Sequence, residues 1–441
     1  MKVSFVRPAI GGVRSFDAME PLAFALLAAR TPPEVERTLY DERLESVPVA
    51  EPTDLAALTI ETYTACRAYQ LADAFRRRGV PVVAGGYHPT FLPEEALAHV
   101  DAVVVGDGEE VWPDLLSDLR AGRLARRYEG RGFPTLAGLR FDRSIFAGKR
   151  YQPVAPVQYG RGCRYACDFC SIHAFYGRSV RQRPVGEVVD EIRAAGKRFV
   201  LLVDDNLFVD AEKARELFAA LEPLGISWGC QVSIDIARDP ELLAAMARSG
   251  CIAALLGFES LSGGNLRQMK KRWNLTHGDY ASVVARFAEH GIMIYGSFIF
   301  GYDEDDSEVF DRTVEFALES RLFLANFNPL TPTPATRLYA RLEAEGRLLF
   351  PTWWLDSDYR YGDIVFQPAR MSPTELAAGC NRARRAFYRY GSLWKRAWER
   401  RSNSRSLGRL SIFLGANWMS RRELATKIGR RLGAQGLPEA A

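Results

Sequence analysis

The chain has 441 residues, 47% of them hydrophobic and 25% charged, an ordinarily globular composition, with about three domains as a soft expectation from length. No stretch approaches the roughly 18–20 apolar residues of a membrane span, the longest patches being runs such as Pro21 to Ala29, and the opening MKVSFVRP reads as a buried strand rather than a secretion signal. The formal charge of +4 hides an uneven distribution: between Asn381 and Arg431 fifteen Lys and Arg stand against two Glu, a local +13 that leaves about −9 for the rest.

From the first residue to about 125, strand and helix signals alternate. Strands are expected at Val3 to Val6, Val35 to Tyr40, Leu55 to Ile60, Pro81 to Ala84 and Ala102 to Val105, with helices at Pro21 to Arg30 and Tyr63 to Arg78. Short apolar runs alternating with helical periods predict a parallel sheet covered on both faces. Ligands of such sheets sit beyond the carboxyl ends of the strands. The loops there read Pro8-Ala9-Ile10-Gly11-Gly12, Thr59-Ile60-Glu61-Thr62, Gly85-Gly86-Tyr87-His88 and Gly106-Asp107-Gly108-Glu109. Paired glycines let backbone approach a ligand where a side chain would clash, although any turn can contain them. Residues 126–150, broken by Gly130, Gly132, Pro134 and Gly138, read as a linker.

The segment QYGRGCRYACDFCSIH follows a largely apolar run, Val154 to Tyr159, and carries Cys163, Cys167 and Cys170. Three thiolates hold three corners of a four-iron cluster and leave one iron open, whereas an electron-transfer site uses four. Structural zinc is the alternative, with His173 as fourth ligand, but zinc ribbons usually bring two separated pairs. Disulfides are disfavoured by seven cysteines in so long a chain without a secretion signal, which points to a reducing, cytoplasmic location. Cys66, Cys230, Cys251 and Cys380 lie outside any clustered spacing and read as core or surface thiols.

Downstream, strands at Phe199 to Val203, Ser227 to Val232, Ala253 to Gly257, Met293 to Phe300 and Leu322 to Asn328 alternate with helices at Val185 to Ala195, Ala211 to Leu221, Pro240 to Arg248, Tyr280 to His290 and Ser307 to Glu319. Counted with Val154 to Tyr159 they make nearly six strand–helix units, and in barrels the reactive residues sit at carboxyl strand ends. Those ends carry Asp204-Asp205-Asn206, then Gln231, Ser233 and Asp235 in alternation, then Gly257-Phe258-Glu259-Ser260, Gly296 to Gly301, and Pro329 to Pro334. A lone acid at a strand end is more often a helix cap than a ligand.

The last territory, 346–441, loses the alternation. It opens on PTWWLDSDYRYGD, whose Trp353, Trp354, Tyr359 and Tyr361 suit either domain packing or a substrate pocket, and turns helical at Ser372-Pro373-Thr374-Glu375, a capping box. Beyond it, aromatic residues interleave with arginines, a pattern compatible with a solvated helical face, an anionic membrane surface or nucleic acid, the last disfavoured.

The three cysteines, with Phe169 just before the third, resemble the signature of the radical S-adenosylmethionine enzymes. The resemblance implies a partial (β/α)₆ barrel over 151–345, a [4Fe–4S] cluster on Cys163, Cys167 and Cys170, and a 5′-deoxyadenosyl radical made by cleaving S-adenosylmethionine at the open iron. Residues expected around that cofactor are Phe169, Asp204 or Asp205, Gln231, Glu259, Ser260 and Gly296. The order of loops over 1–125 resembles the flavodoxin/Rossmann-like cobalamin-binding domain found ahead of such barrels, with Ile10, Gly11, Thr59, Thr62, Gly85, Gly86, His88, Gly106, Gly108 and Glu109 as expected contacts. Many such domains place a histidine after the first strand, but here that loop is RPAIGGVRSF, so base-off cobalamin without a histidine ligand is expected. Family resemblance thus implies methyl transfer to an unactivated carbon of a small or lipid-like substrate, with an external flavodoxin or ferredoxin as electron donor. Cyclisation or rearrangement without methyl transfer, and a cobalamin or redox sensor, are the alternatives. Transfer RNA methylthiotransferases bring three further cysteines in their amino-terminal domain, whereas only Cys66 stands here.

Overall fold

The computed structural model describes residues 1–276 and 278–434, the side chains of 423–425 excepted. The chain forms two compact units, one of residues 1–152 with 352–361 and the stretch from Lys427 on, the other of 153–351 with 362–426.

In the first unit six parallel strands form one sheet: β1 (Lys2–Arg7), β2 (Glu36–Asp41), β3 (Leu55–Thr59), β4 (Val82–Gly85), β5 (Ala102–Val105) and β6 (Arg127–Glu129), in the order β2-β1-β3-β4-β5-β6. The strand order reverses between β1 and β3, which makes the crevice beyond their carboxyl ends the topological switch point. The central strands are apolar on both faces because both are covered. Val3, Phe5, Ala57, Val83 and Val104 pack with Phe24, Trp112 and Leu115, and the rings of Phe24 and Trp112 lie 5.4 and 5.6 Å from that of Phe5. The helix Ala65–Arg77 buries Ala68, Leu71, Ala72 and Phe75. β6 falls inside the stretch 126–150 that reads as a linker: its three residues pair with Val103 to Val105 at the sheet edge.

Parts of the last territory complete this unit. Trp353, Trp354 and Tyr359 are buried, the Trp353 ring 4.8 Å from Tyr63 and the Trp354 indole donating to Glu95 at 2.9 Å. That burial assigns these aromatic residues to packing. Farther on, Tyr361 N donates to Arg430 O at 2.7 Å and Gly11 N to Leu432 O at 2.8 Å. The described residues from 346 to 434 are therefore shared between the two units instead of standing apart.

The second unit is built on β7 (Val154–Val157), β8 (Phe199–Leu202), β9 (Ser227–Gln231), β10 (Cys251–Glu259), β11 (Met293–Phe300) and β12 (Leu324–Pro329). All pairings are parallel and the strands run consecutively from one edge to the other, a six-stranded partial barrel. Leu217, Phe218, Leu242, Met246, Val283 and Phe287 from the intervening helices are buried against it. The helix Pro373–Phe387 starts with the expected capping box, Ser372 N to Glu375 Oε2 at 2.7 Å and Glu375 N to Ser372 Oγ at 3.2 Å. The helices Tyr390–Ala397 and Leu407–Lys427 follow.

Candidate active site

All six strands of the partial barrel present their carboxyl ends on one side, and the cysteine loop is held there. Gly160–Arg161 pairs antiparallel with Arg181–Gln182, closing residues 162–180 into a loop. Gly162 sits at φ +89°, and a Cβ there would overlap the Ser179 carbonyl, so only glycine closes the loop this tightly.

Cys163, Cys167 and Cys170 line one cavity of about 130 Å³ with Phe169, Asp205, Gln231, Glu259, Lys271 and Trp273. Burial raises all three thiols, Cys167 to about 12. Among the described residues no three His, Cys, Asp or Glu side chains converge as a single ion would require, and the His173 ring bonds the Gly177 carbonyl at 2.8 Å. Three sulfurs spread around one cavity fit a multi-iron cluster better than zinc. Cluster binding there must displace protons from the thiols.

The strand ends lock the loop in place. Asp205 accepts from Gly162 N at 2.7 Å, and Gln231 Nε2 donates to the Asp205 carbonyl at 3.0 Å. Asn206 reaches Ser233 Oγ at 3.3 Å and Cys163 Sγ at 3.8 Å. Phe169 packs edge-on to Tyr302, whose hydroxyl donates to Asp168 at 2.7 Å.

Glu259 is aimed into the cavity by a break in the ladder. The β10–β11 register shifts between Gly257 and Glu259, and Glu259 takes φ +63°, unusual for a residue with a side chain. Bulges re-aim side chains next to active sites, and a strained backbone of this kind costs about 1–3 kcal/mol. Its carboxylate pairs with Lys271 Nζ at 2.7 Å, both side chains less than a tenth exposed. Lys271 also donates to the Gly257 carbonyl at 2.8 Å and lies 4.9 Å over the Trp273 ring, which stacks on Tyr165 at 3.9 Å. Burial alone would lower the Lys271 pKa, but Glu259 and the neighbouring thiols outweigh it and raise it. Sequence reasoning misses Lys271, Trp273 and Tyr165.

Three expected residues lie away from the cavity lining. Asp204 is buried, accepts from Gly160 N and has no partner for Oδ2. Ser260 Oγ accepts from Ser262 N at 3.0 Å. A side chain at Gly296 would meet Leu322 at 2.8 Å, so that glycine serves packing.

Burial raises the Asp204 carboxyl to about 7, against about 4 in an unfolded chain. Between those values the folded state holds a proton that the unfolded state has lost. Stability from this group is therefore full below about pH 4 and lost as pH rises toward 7. Asp204→Asn is expected to be more stable than wild type at pH 8 and to flatten that pH dependence, read by denaturant midpoints from pH 5 to 8.

In the first unit the expected cobalamin loops gather at the carboxyl ends of the strands. Gly86, at φ +105°, would place a Cβ 2.9 Å from the Ile60 carbonyl, which ties the Gly85-Gly86 turn to the Thr59–Thr62 loop. Gly106 N donates to Thr90 Oγ1 at 3.0 Å, and Thr62 and Glu109 are buried. The close backbone approach at Gly11 is to the chain itself, since a Cβ would come 2.8 Å from the Arg431 carbonyl; Ile10 beside it is half-buried, as are Thr59 and Gly108. His88 is fully buried, bonding Glu95 at 2.9 Å through Nε2. His99, the other histidine of this unit, stacks on Tyr69 at 4.2 Å.

Family models match two stretches, the B12 binding domain over residues 28–116 and the radical SAM superfamily over 157–317. The chain is 30% identical over 389 residues to bacteriochlorophyllide d C-12(1)-methyltransferase of Chlorobaculum tepidum, covering 85% of this chain and 84% of that one. It is also 30% identical over 371 residues to the C-8(2)-methyltransferase of the same organism, covering 80% and 82%. Among solved structures, the radical S-adenosylmethionine methyltransferase TsrM of Kitasatospora setae, with cobalamin and a [4Fe–4S] cluster, superposes with a TM-score of 0.64 at 17% identity over 88% of this chain and 81% of that one. With both domains matched and relatives of this identity spanning most of its length, the chain belongs to the cobalamin-dependent radical S-adenosylmethionine enzymes.

Proposed function

We propose that this enzyme transfers a methyl group to an unactivated carbon of an apolar small molecule, with the chlorin side chains on which the two Chlorobaculum tepidum methyltransferases act as the chemical model. The observation that carries this reading is the cavity in which three cysteines face Glu259, Lys271, Asp205 and Gln231 at the carboxyl ends of the barrel strands, in a chain that also holds a B12-binding domain.

When bound, the cluster with S-adenosylmethionine supplies a 5′-deoxyadenosyl radical and the cobalamin supplies the methyl group. Cys163, Cys167 and Cys170, which line one cavity, would hold the cluster. Glu259 and the backbone around Asp205 offer acceptors for an ammonium group, and the buried ammonium of Lys271 offers a donor for a carboxylate. Phe169 and Trp273 line the cavity with aromatic surface. The electron this chemistry requires would come from an external one-electron donor of the flavodoxin or ferredoxin type.

The test uses anaerobically reconstituted enzyme, S-adenosylmethionine labelled with deuterium in its methyl group, a reductant and a chlorin substrate. Product carrying the labelled methyl, with both 5′-deoxyadenosine and S-adenosylhomocysteine formed, is the expected result. A substrate cyclised or rearranged without label defeats methyl transfer, and absence of both cofactor products makes the protein a sensor.

In this reading the residues of the first unit would hold cobalamin base-off, with no histidine offered as a ligand. The support is that, among the described residues of the first unit, His88 is fully buried and His99 is stacked on Tyr69. Electron paramagnetic resonance of the one-electron-reduced cobalamin is expected to show no nitrogen superhyperfine splitting; splitting from an axial nitrogen overturns it.

A further inference from the structure

We propose that the helices Tyr390–Ala397 and Leu407–Lys427 form a docking face for an anionic lipid surface. Among the described residues, the large hydrophobic side chains more than half exposed are Tyr390 at 77%, Trp394 at 71%, Trp398 at 55%, Leu407 at 85%, Leu414 at 51% and Trp418 at 59%. All six fall within one stretch of 29 residues. Single exposed apolar residues are ordinary, but a concentration of this kind marks an interaction surface.

The exposed residues are ordered by helical geometry. Tyr390, Trp394 and Trp398 recur at four-residue spacing, and the two indoles stack with centroids 5.6 Å apart. Leu407, Leu414 and Trp418 recur at seven and four, the stripe of one helix face. Arg421 ties the two helices together, its guanidinium 4.7 Å from the Tyr390 ring.

Neither helix can roll to hide these side chains, because its opposite face is committed. Arg396 is fully buried and donates to the carbonyls of Leu322, Phe323 and Phe387 at 3.0, 2.8 and 3.1 Å, and to Asn417 at 2.9 Å. Phe413 and Asn417 of the second helix are likewise buried. The aromatic face is thus held outward by polar anchors within the unit.

Charge selects the occupant. The aromatic rings carry arginines on them, Arg400 at 4.9 Å from Trp398 and Arg422 at 5.2 Å from Trp418. They lie in the segment from Asn381 to Arg431 whose balance is +13. Indoles partition to the boundary between headgroup and acyl chain, and arginines pair with lipid phosphates. Exposed Leu407 and Leu414 suit acyl chains and have no use against a nucleic-acid backbone, whose interfaces are polar. Among the described residues no helix is long and apolar enough to cross a membrane, so the contact is peripheral. The inference is independent of the methyl-transfer reading.

Flotation of the full-length reconstituted enzyme with vesicles tests it. Co-flotation with phosphatidylglycerol–phosphatidylcholine vesicles at low salt is expected to exceed that with phosphatidylcholine alone by about tenfold. The triple variant Trp394→Ser, Trp398→Ser and Trp418→Ser is expected to lose flotation while keeping wild-type iron content and melting temperature, since the three side chains are exposed. Failure of the wild type to float with anionic vesicles overturns the proposal, as does undiminished flotation of the folded triple variant. Two further outcomes also overturn it: a tryptophan-dependent dimer by light scattering without flotation assigns the face to a second copy, and tryptophan-dependent binding to a nucleic-acid duplex without flotation assigns it to that partner.

Discussion

Replacing any one of Cys163, Cys167 and Cys170 with alanine is expected to drop iron from about four per chain toward zero after anaerobic reconstitution, with loss of the cluster's visible absorbance. Formation of 5′-deoxyadenosine should fall to the level seen without enzyme. The three sulfurs share one cavity, and among the described residues no spare thiol or imidazole stands beside them: His173 is engaged with Gly177 and no fourth cysteine is clustered with them. Cys230, Cys251 and Cys380 are buried elsewhere in the core, and Cys380→Ala serves as the control that keeps full iron content. The fold should survive in each variant, because the loop is closed by the Gly160–Arg161 ribbon and by Asp205 on Gly162 N rather than by the thiols themselves. An iron content unchanged in any of the three variants rules out the assigned ligand.

The alternation of apolar runs with helical periods carried most of the architecture. A strand buried on both faces, such as Val82–Gly85 or Ala102–Val105, has to be apolar throughout, and helices such as Val185–Ala195 show their buried stripe. β6 was hidden because Arg127–Glu129 is short, charged at both ends and at the sheet edge, where one central buried Tyr128 suffices. Gly130 after it reads as a breaker, and in the structure a Cβ there would come 2.7 Å from the Asp107 carbonyl.

The site divides along a similar line. Cysteine spacing is a local signal, so the three thiols that line the cavity could be picked out directly. Lys271 could not, because the run Lys270-Lys271-Arg272 looks solvated and only the tertiary fold turns its middle residue inward to Glu259. Asp204 and Asp205 are equivalent on paper, and the structure separates them: one carboxylate is buried against Gly160, while the other residue borders the cavity. The aromatic run after Pro351 carries no information about which surface it meets. Its packing beside Tyr63 and Glu95 joins residues 290 and 259 positions apart in sequence, beyond any periodic signal.

Lys271→Met is expected to lower stability by about 3–5 kcal/mol, because it leaves the Glu259 carboxylate buried without its cation. The double variant Glu259→Gln with Lys271→Met should recover most of that loss, since removing both charges of a buried pair is often neutral or better. Denaturant midpoints of the metal-free proteins give both values, and their difference from additivity gives the coupling. Chemistry should not follow stability: the recovered double variant, reconstituted with iron, is expected to make no 5′-deoxyadenosine. That separation matters because the ion pair has two possible meanings, a clamp that holds β10 to the segment after it or a polar pair kept for ligand recognition. The geometry joins them. A bulge and a left-handed backbone at Glu259 carry a cost that packing alone would not require, and that cost points the carboxylate at the cavity shared with the three cysteines. If the double variant is both stable and active, the pair is only a clamp, and Glu259 has no part in holding the substrate of the radical step.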